Sequence, residues 1–105
     1  MAINNSQRAV FAPELRATMT GTPVLIGTLD FNPVIIIFDN QGDVDVEIIV
    51  NDETWHSFPG GEALVLDLRA AHGLAANFTI DKGTSFYGDG ASGDFSISYL
   101  YAREN

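Results

Sequence analysis

The sequence predicts an all-β protein. It reads as a single-domain β-sandwich of about eight strands, jelly-roll or immunoglobulin-like in connectivity, with an N-terminal arm. Three observations lead there. Helical periodicity is nearly absent, and the apolar residues come in short runs cut by Gly, Pro, Asn and Asp. Several runs alternate between apolar and polar residues, the pattern of a strand with one buried face. Turn signals recur about every 8–12 residues, and that many apolar faces need a second layer to cover them. The predicted boundaries are residues 1–14 for the arm and 15–105 for the sandwich.

The elements follow in order. "MAINNSQRAVFAP" (1–13) is polar with apolar anchors at Ile3, Val10 and Phe11. It reads either as an arm that adds a strand to a neighbouring chain's sheet or as a first strand packed on its own domain. "LRATMT" (15–20) and "PVLIGTLDF" (23–31) are strand candidates, and "PVIIIFD" (33–39) is a stronger one. Its run Ile35, Ile36, Ile37, Phe38 predicts a strand covered on both faces. "VDVEIIV" (44–50) alternates, with Val44, Val46, Ile48 and Val50 on one face and Asp45 and Glu47 on the other. The connector "NQGD" (40–43) offers Gly42 for a positive φ, which predicts a hairpin.

"TWHSF" (54–58) reads as a short strand stopped by "PGG" (59–61). "EALVLDL" (62–68) alternates again, with Leu64, Leu66 and Leu68 together. "RAAHGLAAN" (69–77) is the one possible helical stretch, kept short by Gly73, and "NFTID" (77–81) is a brief strand. "TSFYG" (84–88) leads through "DGASGD" (89–94), read as a flexible hairpin loop, into "FSISYLYA" (95–102). There Phe95, Ile97, Tyr99 and Tyr101 share one face, and Ser96, Ser98 and Leu100 the other.

At 105 residues the chain suits one domain. Folding at this size buries roughly 65% of the unfolded surface, enough for a core without staples. There is no cysteine, hence no disulfide, thiolate metal site or cysteine nucleophile. The N-terminus has no apolar signal-peptide core, and no apolar run approaches the ~20 residues of a membrane helix. The expectation is a soluble chain made in a cytoplasm. Fourteen acids against five bases give a formal charge of -9. That disfavours nucleic acid and anionic membranes as partners, since both are held by basic contacts.

The motifs point away from catalysis. From Asp39 to Asp67 the chain carries eight acids and no Lys or Arg. "DNQGDVD" loosely resembles a calcium loop but lacks the EF-hand spacing and its closing Glu. Solvated turn and strand acids are the simpler reading. Glycoside hydrolysis needs two carboxylates at a set separation across a cleft, and no pattern here defines one. His56 and His72 are the only histidines and stand in no ligand spacing. No G-x-S-x-G elbow or P-loop lysine occurs. The expectation is a non-enzyme without cofactor or metal. Trp55, Phe58, Phe86, Tyr87, Tyr99 and Tyr101 suit core or interface packing, with sugar stacking as the alternative.

The second half carries a succession of motifs. A "VEI" strand precedes a "W-x-x-F" strand, Trp55 to Phe58. A "P-x-G-x-x-L-x-L-D-L-R" step follows with Pro59, Gly61, Leu64, Leu66, Asp67, Leu68 and Arg69. Then come "KGT-x-F" (Lys82 to Phe86), a Gly-rich hairpin, and a terminal "S-x-x-Y-x-R" with Ser98, Tyr101 and Arg103. Residues 44–103, a little over half the chain, thereby resemble small structural proteins of tailed-bacteriophage virions. The resemblance implies a capsid decoration, or cement, protein that binds the outer shell and stabilises it. Tail, connector or fibre-associated sandwiches, and a carbohydrate-binding module, are the alternatives. The partners implied are the major capsid protein or other virion proteins, on the capsid surface of a virion, after synthesis in the host cytoplasm. A homo-oligomer, trimer or dimer, is expected. Candidate partner-binding residues are Ile3, Val10 and Phe11 in the arm, the acids Asp43, Asp45 and Glu47, which would meet basic shell patches, and Trp55.

Overall fold

The computed structural model describes residues 7–68 and 80–104. Nine strands run in the order β1 (Gln7–Phe11), β2 (Leu15–Thr18), β3 (Val24–Thr28), β4 (Pro33–Asn40), β5 (Val46–Val50), β6 (Glu53–Phe58), β7 (Ala63–Asp67), β8 (Ser85–Gly90) and β9 (Asp94–Glu104). They form an open sandwich of two antiparallel sheets. In the five-stranded sheet, β9 is central. It pairs with β4 along one side, and β7 lies beyond β4. Its other side is shared, β2 pairing with residues 94–97 and β1 with residues 100–104. The four-stranded sheet has the order β3-β8-β5-β6.

The pairing is nested. β5 pairs β6, β4 pairs β7, β3 pairs β8 and β2 pairs β9. The chain therefore behaves as one long antiparallel ribbon folded over on itself, with β9 on β4 and β8 on β5 closing each sheet.

Alternation decides which side chains meet between the sheets. In β5, Val46, Ile48 and Val50 are buried while Glu47 is exposed. In β9, Phe95, Ile97 and Tyr99 point inward. In β4, Ile36, Phe38 and Asn40 are buried, whereas Ile35 and Ile37 on the outer face are only half-buried. The isoleucine run thus has one covered face, not two. At the centre, Phe38 meets Trp55, Phe58 and Phe86 at centroid distances of 5.0, 5.8 and 5.4 Å, and Phe58 meets Phe95 edge-on at 5.2 Å. Tilted and edge-on rings add ~0.5–1.5 kcal/mol per pair beyond their burial. Because Phe38 and Phe95 belong to one sheet and Phe58 and Phe86 to the other, these rings join the layers. Tyr99, also buried, satisfies its hydroxyl by accepting the Asp30 N–H at 3.0 Å.

Two turns differ from the hairpins that the sequence predicts. β4 and β5 lie in different sheets, as do β8 and β9, so segments 41–45 and 91–93 are sheet-to-sheet corners. Asn40 shapes the first. Its buried amide donates to the carbonyls of Val44, Phe58 and Pro59, and its Oδ1 accepts the Gly42 N–H at 3.1 Å. Gly42 is not in the left-handed region. The glycine that uses positive φ is Gly93, at 90°, in the second corner, where a Cβ would lie 2.9 Å from the Gly42 Cα. The corners are joined by Gln41 N–H to the Asp94 carbonyl at 3.0 Å. The tight hairpin sits instead between β5 and β6. Asn51 and Asp52 hold φ of 53° and 65°, the two left-handed positions of a type I′ turn.

Residues 7–11, predicted as part of an arm, form β1 on β9 of the same chain. The predicted stretches 69–77 and most of 77–81, with His72 and Ile3, lie outside the described residues.

Candidate functional site

The outer faces of the two sheets are where this chain can meet another molecule, and their residues follow from strand register. On the four-stranded sheet, Val46 and Ile48 point inward, so Glu47 and Ile49 point out. Ile49 pairs with Tyr87 of β8, and Tyr87 with Leu25 of β3. Leu25, Tyr87 and Ile49 therefore form one row across three strands. Leu25 is 49% exposed and Tyr87 42%. The row opens into a shallow depression of about 460 Å3 lined by Pro23, Ile49, Asp52 and Tyr87. Asp52 reaches it because the type I′ turn ends β5 there. Two residues along the same face, Glu47 stands directly opposite Asp89. No Lys or Arg occurs in β3, β5, β6 or β8.

The five-stranded sheet presents a second apolar face. Phe11 pairs with Leu100, and Leu100 with Ile35. Ile37 lies between Ser98 and Val65. Phe11 is 64% exposed and Val65 59%, with Leu100, Ile35 and Ile37 half-buried between them. Its rim is mixed in charge. Arg16 reaches Glu14 at 3.3 Å and Asp94 at 3.2 Å.

The sequence-predicted partner residues are not brought together. Glu47 lies on the outer face of the four-stranded sheet and Phe11 on that of the five-stranded sheet. Val10 is half-buried opposite Tyr101. Asp43 and Asp45 are exposed in the first corner. Trp55 is half-buried against Phe38 and is part of the core packing. Phe58, Phe86 and Tyr99 are buried as well. Of the six aromatics weighed in the sequence Tyr87 is the exposed one, while Leu25, Ile49 and Pro23 are additions from the structure. Leu25 is out of phase with buried Ile26, and Ile49 with Ile48 and Val50, which marks single outward positions but not their alignment into a row.

The polar groups form few clusters. His56 Nε2 lies 3.7 Å from Glu62 Oε1, an ion pair only when the imidazole is protonated. Among the described residues no group of three or more His, Cys, Asp or Glu is placed to hold a metal ion. What the surfaces offer chemically is apolar area with carboxylates beside it.

Comparison with protein-family models, with curated proteins and with solved structures gives no match.

Proposed function

We propose that this chain is a bacteriophage virion structural protein, a capsid decoration or cement protein that binds the outer shell and stabilises it. The observation that carries the reading is the pair of apolar outer faces. An antiparallel sheet facing water on one side normally sets polar residues there. Here Leu25, Tyr87 and Ile49 on one face, and Phe11, Leu100, Ile35, Ile37 and Val65 on the other, stand where a free monomer would be polar. Contiguous exposed apolar area of this kind marks interaction surface. A plate with two such faces is suited to sitting between or upon other subunits, and the virion-like motif order of residues 44–103 indicates what those subunits are.

The nested β2–β9, β3–β8, β4–β7, β5–β6 pairing also supports the jelly-roll over the immunoglobulin-like connectivity. In the immunoglobulin order the second strand pairs with the fifth, not with the last. Jelly rolls are a common architecture of capsid components.

The mechanism is linkage. A protein that binds assembled shell subunits and not separated ones stabilises the assembly by ~2.7 kcal/mol per site when its free concentration is a hundredfold above its dissociation constant. Cryo-electron microscopy of particles made with and without the chain tests the reading. Added density on the shell surface, with greater resistance to heat and osmotic shock, is the expected result. Density confined to the tail or portal would move the protein there, and particles identical in both preparations would refute a structural role.

A further inference from the structure

The outer face of the four-stranded sheet is specific about what it can accept. Its apolar row, Leu25–Tyr87–Ile49, ends in the depression formed with Pro23 and Asp52. Among the described residues, the charged groups that this sheet and its turn set beside that row are carboxylates, all of one sign. Glu47 and Asp89 sit opposite each other on adjacent strands, an arrangement that is destabilising when left unneutralised. No strand of this sheet supplies a Lys or Arg to offset it.

We propose that this face docks a basic segment of a partner protein, and that the depression receives one of its arginine or lysine side chains. The aliphatic stem lies along Ile49 and Pro23, as long basic side chains commonly do on apolar surface. The cation rests over the Tyr87 ring and is countered by the Asp52 carboxylate. Glu47 and Asp89 take neighbouring cations of the same segment. A second copy of this chain is a poor occupant, since it carries a formal charge of -9 and would bring acids to acids. A neutral ligand would leave the facing pair Glu47 and Asp89 unneutralised. The proposal deepens the virion reading by naming the chemistry of one partner, and it can be tested without a virion.

The test is a titration of 15N-labelled protein with L-argininamide, read by amide chemical shifts. L-citrullinamide, of similar shape but without the guanidinium charge, is the control. The expected result is saturable shifts centred on Ile49, Asp52 and Tyr87 with argininamide and far weaker ones with citrullinamide. Asp52→Asn and Tyr87→Ala should each weaken binding by about two- to fivefold, the range of an exposed charge contact or cation–π contact. Tyr87→Phe, which keeps the ring, should retain it, and Ser92→Ala in the exposed second corner should change nothing. Both altered residues are exposed, and circular dichroism verifies that the variants fold. The proposal is overturned if argininamide causes no saturable shift. It is equally overturned if citrullinamide acts as strongly, or if the shifts spread over all surface acids and ignore Tyr87→Ala. A neutral glycan that shifts the same residues more strongly would also overturn it and assign the face to sugar. Particles unchanged by the chain, together with a positive titration, would remove the virion reading and leave this site standing; the reverse pattern would remove this site alone.

Discussion

Replacing Asn40 by alanine should remove a large share of this domain's stability without touching either outer face. Asn40 is 1% exposed. Its two amide hydrogens serve three carbonyls, Val44 at 2.8 Å, Phe58 at 3.0 Å and Pro59 at 3.2 Å, and its Oδ1 accepts from Gly42 at 3.1 Å. Counting one net bond per amide hydrogen and one accepted bond gives about 3 kcal/mol at ~1 kcal/mol each. The loss of this donor from the Phe58 carbonyl, in a buried position, raises the total to about 4 kcal/mol. Stability of a domain this size lies in the range of ~5–15 kcal/mol. At ~4–8 °C per kcal/mol, the midpoint of thermal unfolding should fall by on the order of 20 °C. Circular dichroism melts, with urea titration to check an unchanged m-value, measure this.

Asn40→Asp adds a sign test. The carboxylate would face three carbonyls, so the folded variant holds its proton more tightly than the unfolded chain does. Its deficit against the parent should therefore be greatest near neutrality and shrink as pH falls toward ~4, where the unfolded aspartate also protonates. A midpoint loss under about 4 °C for Asn40→Ala, or a deficit for Asn40→Asp that does not depend on pH, would show that other donors satisfy these carbonyls.

Other substitutions should rank by burial and backbone geometry. Phe38→Ala should cost about 3–5 kcal/mol, because it empties the centre of the ring cluster that joins the sheets. Gly60→Ala should be destabilising by ~1–3 kcal/mol or more in urea denaturation, since its Cβ would lie 2.4 Å from the Asp43 carbonyl carbon and 2.6 Å from the oxygen. Asn51→Val should lower stability by about 1–2 kcal/mol, whereas Asn51→Gly should be neutral or stabilising, because φ is 53° there. Arg16→Ala breaks contacts to Glu14 and Asp94, yet its own side chain and theirs are more than 40% exposed, so melts should show a loss below ~1 kcal/mol.

The strands were legible and the corners were not. Alternation placed Val46, Ile48 and Val50 inward, and likewise Phe95, Ile97 and Tyr99, because period two is a property of the strand itself. "NQGD" and "DGASGD" announced turns correctly but not their destinations. Whether a chain returns along its own sheet or crosses to the other is decided by partners far away in sequence, here β7 and β9 for β4, and β3 and β5 for β8. The true hairpin at Asn51–Asp52 hid inside an acidic stretch whose chemistry drew the eye to cations. Of the outer faces, Glu47 was visible from alternation. The Leu25–Tyr87–Ile49 row was not, since it arises from cross-strand register between segments widely separated in the chain.

The strand that comes latest among the nine described is the middle of a layer. Among the described strands β9 alone links β4 to β1 and β2, and β1 pairs with its residues 100–104. Until β9 is in place, β1, β2 and the β4–β7 pair have no described strand to connect them, and their rims stay open. Closing that layer must wait for β9 and then proceed through distant pairings, which are slow to form and vulnerable to clumping while they do. Deleting even part of β9 should therefore yield inclusion bodies instead of a smaller domain.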